Sequence, residues 1–190
     1  MKKAILSIVA LSALGFSIAS HAAPTVGATG MINFNGSINA DSCVVHGNGA
    51  SSAGGSVLNY PMGSVSVNAL GTEAAPATAA SGVATTLPVA LNLQLECATG
   101  TSVELKLTPT VTVGKGIGVS GGAQNVQIML MQGSTALDFA GGPVTLEAPL
   151  SGGQASVGLN AYYTLQAAKN VADVVTGDAN GSVAYVLSYN

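Results

Sequence analysis

Leu87-Pro88-Val89-Ala90-Leu91-Asn92-Leu93-Gln94-Leu95-Glu96-Cys97 places Leu87, Val89, Leu91, Leu93, Leu95 and Cys97 on one parity and Pro88, Ala90, Asn92, Gln94 and Glu96 on the other. A period of two is the signature of a strand with one apolar face, whereas a helix would repeat its apolar positions every three to four residues. Cys97 falls on the apolar parity, so its sulfur is expected on the core side. The same pattern recurs on both sides of this stretch. Downstream, Val103, Leu105 and Leu107 alternate with Ser102, Glu104, Lys106 and Thr108. Val126, Ile128 and Leu130 alternate with Gln127, Met129 and Met131. Val157, Leu159, Ala161, Tyr163 and Leu165 form another run, and Val183, Tyr185, Leu187 and Tyr189 form the last. Upstream, Ala28, Gly30, Ile32, Phe34, Gly36 and Ile38 share one parity, and Thr29 to Asn39 the other, which predicts a long leading strand.

Turn-rich stretches separate these runs: Gly47 to Gly55, Thr72 to Ala84, Gly114 to Gly122, Gly141-Gly142-Pro143 and Ser151-Gly152-Gly153, the last a hairpin turn signal. Many short strands with Gly-rich breaks and no strong helical period indicate an all-β sandwich or barrel. Thr72 to Ala84 reads as a floppy surface loop and not a boundary, because strands on both sides are needed for one core. Residues 161–175 leave room for one helical turn.

The N-terminus carries a different message. Lys2 and Lys3 precede an uncharged, mostly apolar run from Ala4 to Ile18, and Ser20-His21-Ala22 supplies small residues at the first and third positions. That layout is a secretory signal peptide over 1–22, cleaved after Ala22. A membrane anchor is the alternative, but the run is short for a span of ~20 residues. The remaining chain, Ala23 to Asn190, suffices for one domain with its own core. It holds Lys106, Lys115 and Lys169 against eight acids, a net charge of −5, with no Arg and no Trp. Such a chain has no basic footprint for nucleic acid or anionic lipid. The acids are spread out and read as solvated charges; Glu104 and Lys106 share a strand face and read as a solvated pair.

Two cysteines, Cys43 and Cys97, are expected to form a disulfide in an exported chain. Closing so long a loop stabilises by about 4 kcal/mol on the chain-entropy model. Metal binding lacks ligands: His46 is the one histidine of the exported part, and no CxxC pair exists. A triad of Ser42, His46 and Asp41 can be drawn, but no nucleophile-elbow sequence supports it, and an exposed loop histidine is the better reading. Carboxylate pairs carry little specificity among eight acids, and the Gly-rich stretches do not match phosphate-loop spacing. No catalytic residue, metal or cofactor is expected.

Several motifs then fall into a shared order. Gly30-Met31-Ile32-Asn33-Phe34-Asn35-Gly36 is followed by Cys43. Leu91 to Cys97 forms a second-cysteine strand, Asn125-Val126-Gln127-Ile128 a middle strand, and Leu159-Asn160-Ala161-Tyr162-Tyr163 a late strand. Asn180 to Asn190 closes the chain with Tyr189 penultimate, and Gly177 lies fourteenth from the end. In these features the chain resembles the major-subunit fimbrial proteins of Gram-negative bacteria, the type 1 pilin family of chaperone–usher fimbriae. It departs from the family in a longer stretch between the cysteines and in sparser charge.

The resemblance implies an immunoglobulin-like β-sandwich that lacks its last strand, in a domain of residues 41–190 preceded by an N-terminal extension, 23–40. It implies a hydrophobic groove beside the C-terminal strand, bordered by Val183, Tyr185, Leu187 and Tyr189, with Gly177 at the family's glycine position and Asn190 anchoring on a periplasmic chaperone. The chaperone lends a strand to that groove until the extension of the next subunit replaces it; donor-strand complementation of pilins is itself the known example of this kind of β-augmentation. The implied partners are the periplasmic chaperone, an outer-membrane usher and neighbouring subunits, and the implied destination is the cell-surface fimbrium. Val26, Ala28, Gly30, Ile32, Phe34 and Ile38 would be the donor face, with Ile32 and Phe34 the main plugs and Gly30 the small residue at a notch. Alternation alone is equally compatible with an ordinary first strand of the chain's own domain. The other functions to weigh are a tip adhesin-type subunit that binds host glycan and a secreted hydrolase.

Overall fold

The computed structural model describes residues 31, 43–48, 57–80 and 88–190. The chain divides into two units, 1–38 and 39–190, and every strand described belongs to the second. The signal peptide, the leading strand of 26–38 and residues 49–55 of the first Gly-rich stretch lie outside the described residues, as do Val26, Ala28, Gly30, Ile32, Phe34 and Ile38.

Ten strands follow in order: β1 (Val44–Asn48), β2 (Val89–Glu96), β3 (Ser102–Pro109), β4 (Thr112–Val113), β5 (Gly116–Gly118), β6 (Val126–Gln132), β7 (Thr135–Ala136), β8 (Val144–Pro149), β9 (Gln154–Leu165) and β10 (Val183–Tyr189). The larger sheet runs β1-β2-β9-β6-β5-β4, with β7 also paired to β6, and the smaller runs β10-β3-β8. All strand pairs are antiparallel. On β2 and β3 the alternation read from the sequence is the alternation of burial; on β6 it is not, because Val126 to Met131 are all buried, Gln127, Met129 and Met131 as well as Val126, Ile128 and Leu130, so this strand is covered on both faces. Leu93 and Leu95 of β2, Val157 and Leu159 of β9, and Val103, Leu105 and Leu107 of β3 are buried in one core cluster that takes side chains from both sheets. The architecture is therefore a two-sheet sandwich, with the sandwich alternative realised and the barrel not.

The chain changes sheet between β8 and β9 through a two-residue turn. Gly152 and Gly153 have φ of 60° and 80°, a left-handed pair that L side chains resist, and Ser151 and Gln154 exchange backbone hydrogen bonds of 2.8 and 3.1 Å. The turn lies against the disulfide: Cys97 N–H donates to Gly153 O at 2.7 Å. Cys43 and Cys97 are bonded across 54 residues, with Cys97 only 3% exposed, as its parity predicts.

Several expectations need correction. Of the stretch Thr72 to Ala84, residues 81–84 lie outside the described residues, and the part up to Ala80 is not a floppy loop: the preceding Gly71 pairs with Thr164 of β9 and with Ala79, and Pro76 and Ala79 are buried. Gly114 to Gly122 is not only a break, because β5 lies inside it; Gly116 and Gly118 are buried, and a Cβ on Gly116 would stand 2.8 Å from Ile128 O. His46 is on strand β1 and not in a loop. Glu104 and Lys106 form no ion pair; Glu104 lies directly across from Glu147 of β8. The strand β8, with Val144, Leu146 and Ala148 facing inward, adds to the runs expected, and its sequence carries the same alternation. The helical turn allowed in 161–175 is the 3-10 turn Val171–Asp173, whose start is closed by Asp173 accepting from Asn170 N–H at 2.9 Å. Among the described residues no helix is long and apolar enough to cross a membrane.

Candidate functional site: a cleft beside the last strand

Burial falls off sharply at one border of the core. On β3 the inward residues Val103, Leu105 and Leu107 are 1%, 0% and 5% exposed. Their partners on β10, Tyr189, Leu187 and Tyr185, are only half-buried, as is Val183, which pairs with Pro109. β10 ends the order of the smaller sheet: among the described residues β3 is the one strand paired with it. An apolar row at the end of a sheet, half covered, is where another strand can add.

Beside β10 lies a cleft of about 700 Å³. Val183 and Tyr185 form one side, and Leu91 and Leu93 of β2, Leu159 of β9 and Leu130 of β6 form the floor. The other side is the segment Val57 to Met62, which is extended without being a strand. Its residues alternate too: Leu58, Tyr60 and Met62 are half-buried against the core, while Val57, Asn59 and Pro61 are exposed. Past Gly181 the cleft continues into a second section of about 860 Å³ between Leu58–Val65 and Val174–Gly181. Leu58, Asn59, Tyr60, Met62, Ile128 and Gly181 line both sections, so the two are one groove.

Two glycines shape it. A Cβ on Gly181 would stand 2.9 Å from Ile128 Cδ1 and 3.2 Å from Ile117 Cγ2, so the chain enters β10 close against the larger sheet and a larger residue would make the Ile128 side chain shift. Gly177, singled out in the sequence by its family position, lines the second section; a Cβ there would meet Ala123 N and Gly122 C at 2.8 Å. Burial pushes the Tyr60 and Tyr163 hydroxyls above the usual tyrosine pKa. Tyr163 donates to Ala179 O at 2.6 Å, whereas the buried Tyr60 hydroxyl has no hydrogen-bond partner among the described residues.

Of the residues predicted to border the groove, Val183, Tyr185 and Gly177 line it. Leu187 and Tyr189 continue the same half-buried row farther along β10 and pack on the core without lining the cleft. Asn190 sits beyond the strand, its carbonyl accepting from Thr101 N–H at 2.6 Å and its N–H donating to Ser102 O at 3.0 Å. The sequence reading missed the wall of residues 57–65; the signal was the alternation of Leu58, Tyr60 and Met62.

With Val183 and Tyr185 on one side and Leu91, Leu93, Leu130 and Leu159 beneath, the groove suits an extended apolar segment. Asp178 lines the second section of the groove; His46 lies on the outer face of the larger sheet, 3.6 Å from Glu96, with both side chains largely exposed. Asp41 and Ser42 are outside the described residues. No group of three or more metal-ligating side chains occurs among the described residues.

No protein-family model matches the chain, and no curated protein matches it. Solved structures do. The P pilus rod subunit PapA aligns over 78% of this chain and 99% of its own, at 19% identity and a TM-score of 0.53. A chaperone–usher pilus structure concerned with rod uncoiling aligns over 88% of this chain and 100% of its own, at 20% identity and a TM-score of 0.53. The CupB6 tip adhesin from Pseudomonas aeruginosa aligns over 54% of this chain and 30% of its own, at 20% identity and a TM-score of 0.45. The fold is the immunoglobulin-like sandwich of the chaperone–usher pilins.

Proposed function

We propose that this chain is a structural subunit of a chaperone–usher fimbria, exported through the periplasm and joined to its neighbours by donor-strand exchange. In this reading the extension of one subunit, residues 23–40, enters the groove beside β10 of another. A periplasmic chaperone covers that groove beforehand, and an outer-membrane usher is the site of exchange. The observation that carries the reading is the half-buried apolar row of β10 at the end of its sheet, opening onto a groove with an apolar floor. An apolar edge of this kind invites aggregation unless something covers it, which is what a dedicated chaperone supplies. The pilin fold and the family resemblance of the sequence point the same way.

The donor face would be Val26, Ala28, Gly30, Ile32, Phe34 and Ile38. Burying Ile32 and Phe34 stabilises a junction by ~1.5–3 kcal/mol each, and the chain's main-chain groups add hydrogen bonds along the lane. The test is assembly of Ile32→Asp/Phe34→Asp. The double variant should be exported and retained on its chaperone, yet should not extend fibres. Fibres of ordinary length seen by electron microscopy with this variant would refute the donor assignment. Antibody label along whole shafts would identify a major subunit, and label at fibre ends a tip component.

A further inference from the structure

The groove has one regular side and one irregular one. β10 is tied to β3 by a full antiparallel register from Val183 to Tyr189. On the opposite side, Pro61 to Val65 make no backbone–backbone hydrogen bond among the described residues. Packing of Met62 and Val65 steadies that stretch, and the contacts that fix the chain just after it add to this.

What fixes it is a small set of contacts on β9 and on the turn between β4 and β5. Leu165 N–H donates to Gly71 O at 2.9 Å, and Ala80 N–H donates to Leu70 O at 2.9 Å, folding residues 70–80 into a strap. From the strap Glu73 reaches across the larger sheet. Its Oε2 accepts from Lys115 N–H at 3.1 Å and from Gln127 Nε2 at 3.1 Å. Gln127 is fully buried; its other contact from Nε2, to Leu165 O, is long at 3.4 Å, and its Oε1 has no partner. Thr164, its register partner on β9, is also fully buried with an unpartnered hydroxyl. The Glu73 carboxylate is thus the strongest acceptor offered to an otherwise under-bonded polar row. Gly114 makes room for it: φ there is +54°, and a Cβ would run into the carboxylate.

We propose that Glu73 is a positioning residue of the groove: by clipping the strap to Lys115 N–H and to the buried Gln127 amide, it holds the irregular wall at Leu58–Val67 and so sets how tightly the groove keeps an incoming strand. The proposal rests on the reading of the groove as a strand acceptor. Glu73 touches neither section of the groove; it acts through the chain it anchors.

The test uses the full chain and a fluorescein-labelled peptide of residues 23–38, with uptake and release followed by anisotropy. Glu73→Ala should release the peptide about tenfold faster than the parent, the loss expected when a charged acceptor worth ~1.4 kcal/mol no longer holds the wall. Glu73→Gln keeps an oxygen that can accept both hydrogen bonds and should release at close to the parent rate. Gly114→Ala leaves Glu73 in the sequence but displaces its carboxylate, so it should release faster, as Glu73→Ala does; it serves as the second variant should Glu73→Ala fold poorly. Equal release rates for parent, Glu73→Ala and Gly114→Ala would overturn the proposal, as would a lowered melting temperature with unchanged release. If the parent chain itself takes up no peptide, the acceptor reading falls first and the role of Glu73 falls with it.

Discussion

Val103 and Val183 allow one chemical change to be made twice, once where the core is closed and once where it opens. Val103 on β3 is 1% exposed and in the main core. Val183 on β10 is half-buried and lines the cleft. Replacing either by Ala removes two methyl groups, worth ~0.8 kcal/mol each when fully buried. For Val103→Ala the transfer loss is ~1.6 kcal/mol, and the cavity left in a packed core brings the cost to about 2–3 kcal/mol. For Val183→Ala roughly half of the transfer loss, ~0.8 kcal/mol, applies while the groove is open to solvent. Once a strand covers Val183 the missing methyl groups are felt in full, and a further ~0.8 kcal/mol appears as weaker binding, about a fourfold rise in Kd.

Urea unfolding of each variant, with the disulfide intact, separates these terms when run with and without the peptide of residues 23–38. A peptide at about one hundred times its Kd raises the parent's stability by ~2.7 kcal/mol. At the same peptide concentration Val103→Ala should receive the same increment, since its deleted methyl groups lie where no incoming strand reaches. Val183→Ala should receive a smaller one, by ~0.8 kcal/mol. If the two variants gain equally from the peptide, or if Val103→Ala is the one that loses the increment, β10 does not border the binding lane and the reasoning fails.

Two further outcomes follow from the rest of the structure. Replacing both Cys43 and Cys97 by Ala opens a loop of 54 residues and should lower stability by about 4 kcal/mol on the chain-entropy model; urea midpoints measured at constant m check it, and a loss below about 1 kcal/mol would mean that the bond does not constrain the unfolded chain. Burial favours the neutral form of Tyr60 and Tyr163 and raises their pKa values above the ordinary tyrosine value of about 10. A raised folded pKa gives stability that is complete below the unfolded value and lost as pH climbs through the folded one, so the contribution of these two rings should be lost on the alkaline side of pH 10. Absorbance titration of Tyr60→Phe and Tyr163→Phe against the parent identifies the late-ionising rings, and a component that disappears in neither variant refutes the assignment.

The parity of β2, β3 and β10 was legible from the sequence, and the reason is local: a two-residue period is set by the pleat and needs no knowledge of neighbours. Leu93, Leu95, Leu105 and Val157 therefore face the core as expected, and Cys97 meets Cys43 there. How deeply a residue on the correct parity is buried is a different quantity, because it depends on which strand lies alongside. Leu105 and Leu187 have the same alternation in sequence and are register partners, yet one is sealed and the other half open. The difference is that, among the described residues, β3 has a strand on each side and β10 ends its sheet's order. The family resemblance supplied that distinction where the pattern could not.

The misreadings of the 57–80 region share a cause of the same kind. A stretch rich in Ala, Thr and Gly reads as mobile because it lacks large side chains, but mobility is decided by what its polar groups and backbone find to bond. Glu73 looks like any solvated acid in the sequence, and its partners, Lys115 N–H and the Gln127 amide, lie 42 and 54 residues away. Gly114, which reads as a turn residue, is also the vacant volume into which that carboxylate fits. A single carboxylate reaching two donors brought together by β5 and β6 turns the longest interruption in the strand pattern into the anchor of one wall of the groove. Shortening the strap should therefore change how the groove holds a strand, even though no residue of the groove itself is altered.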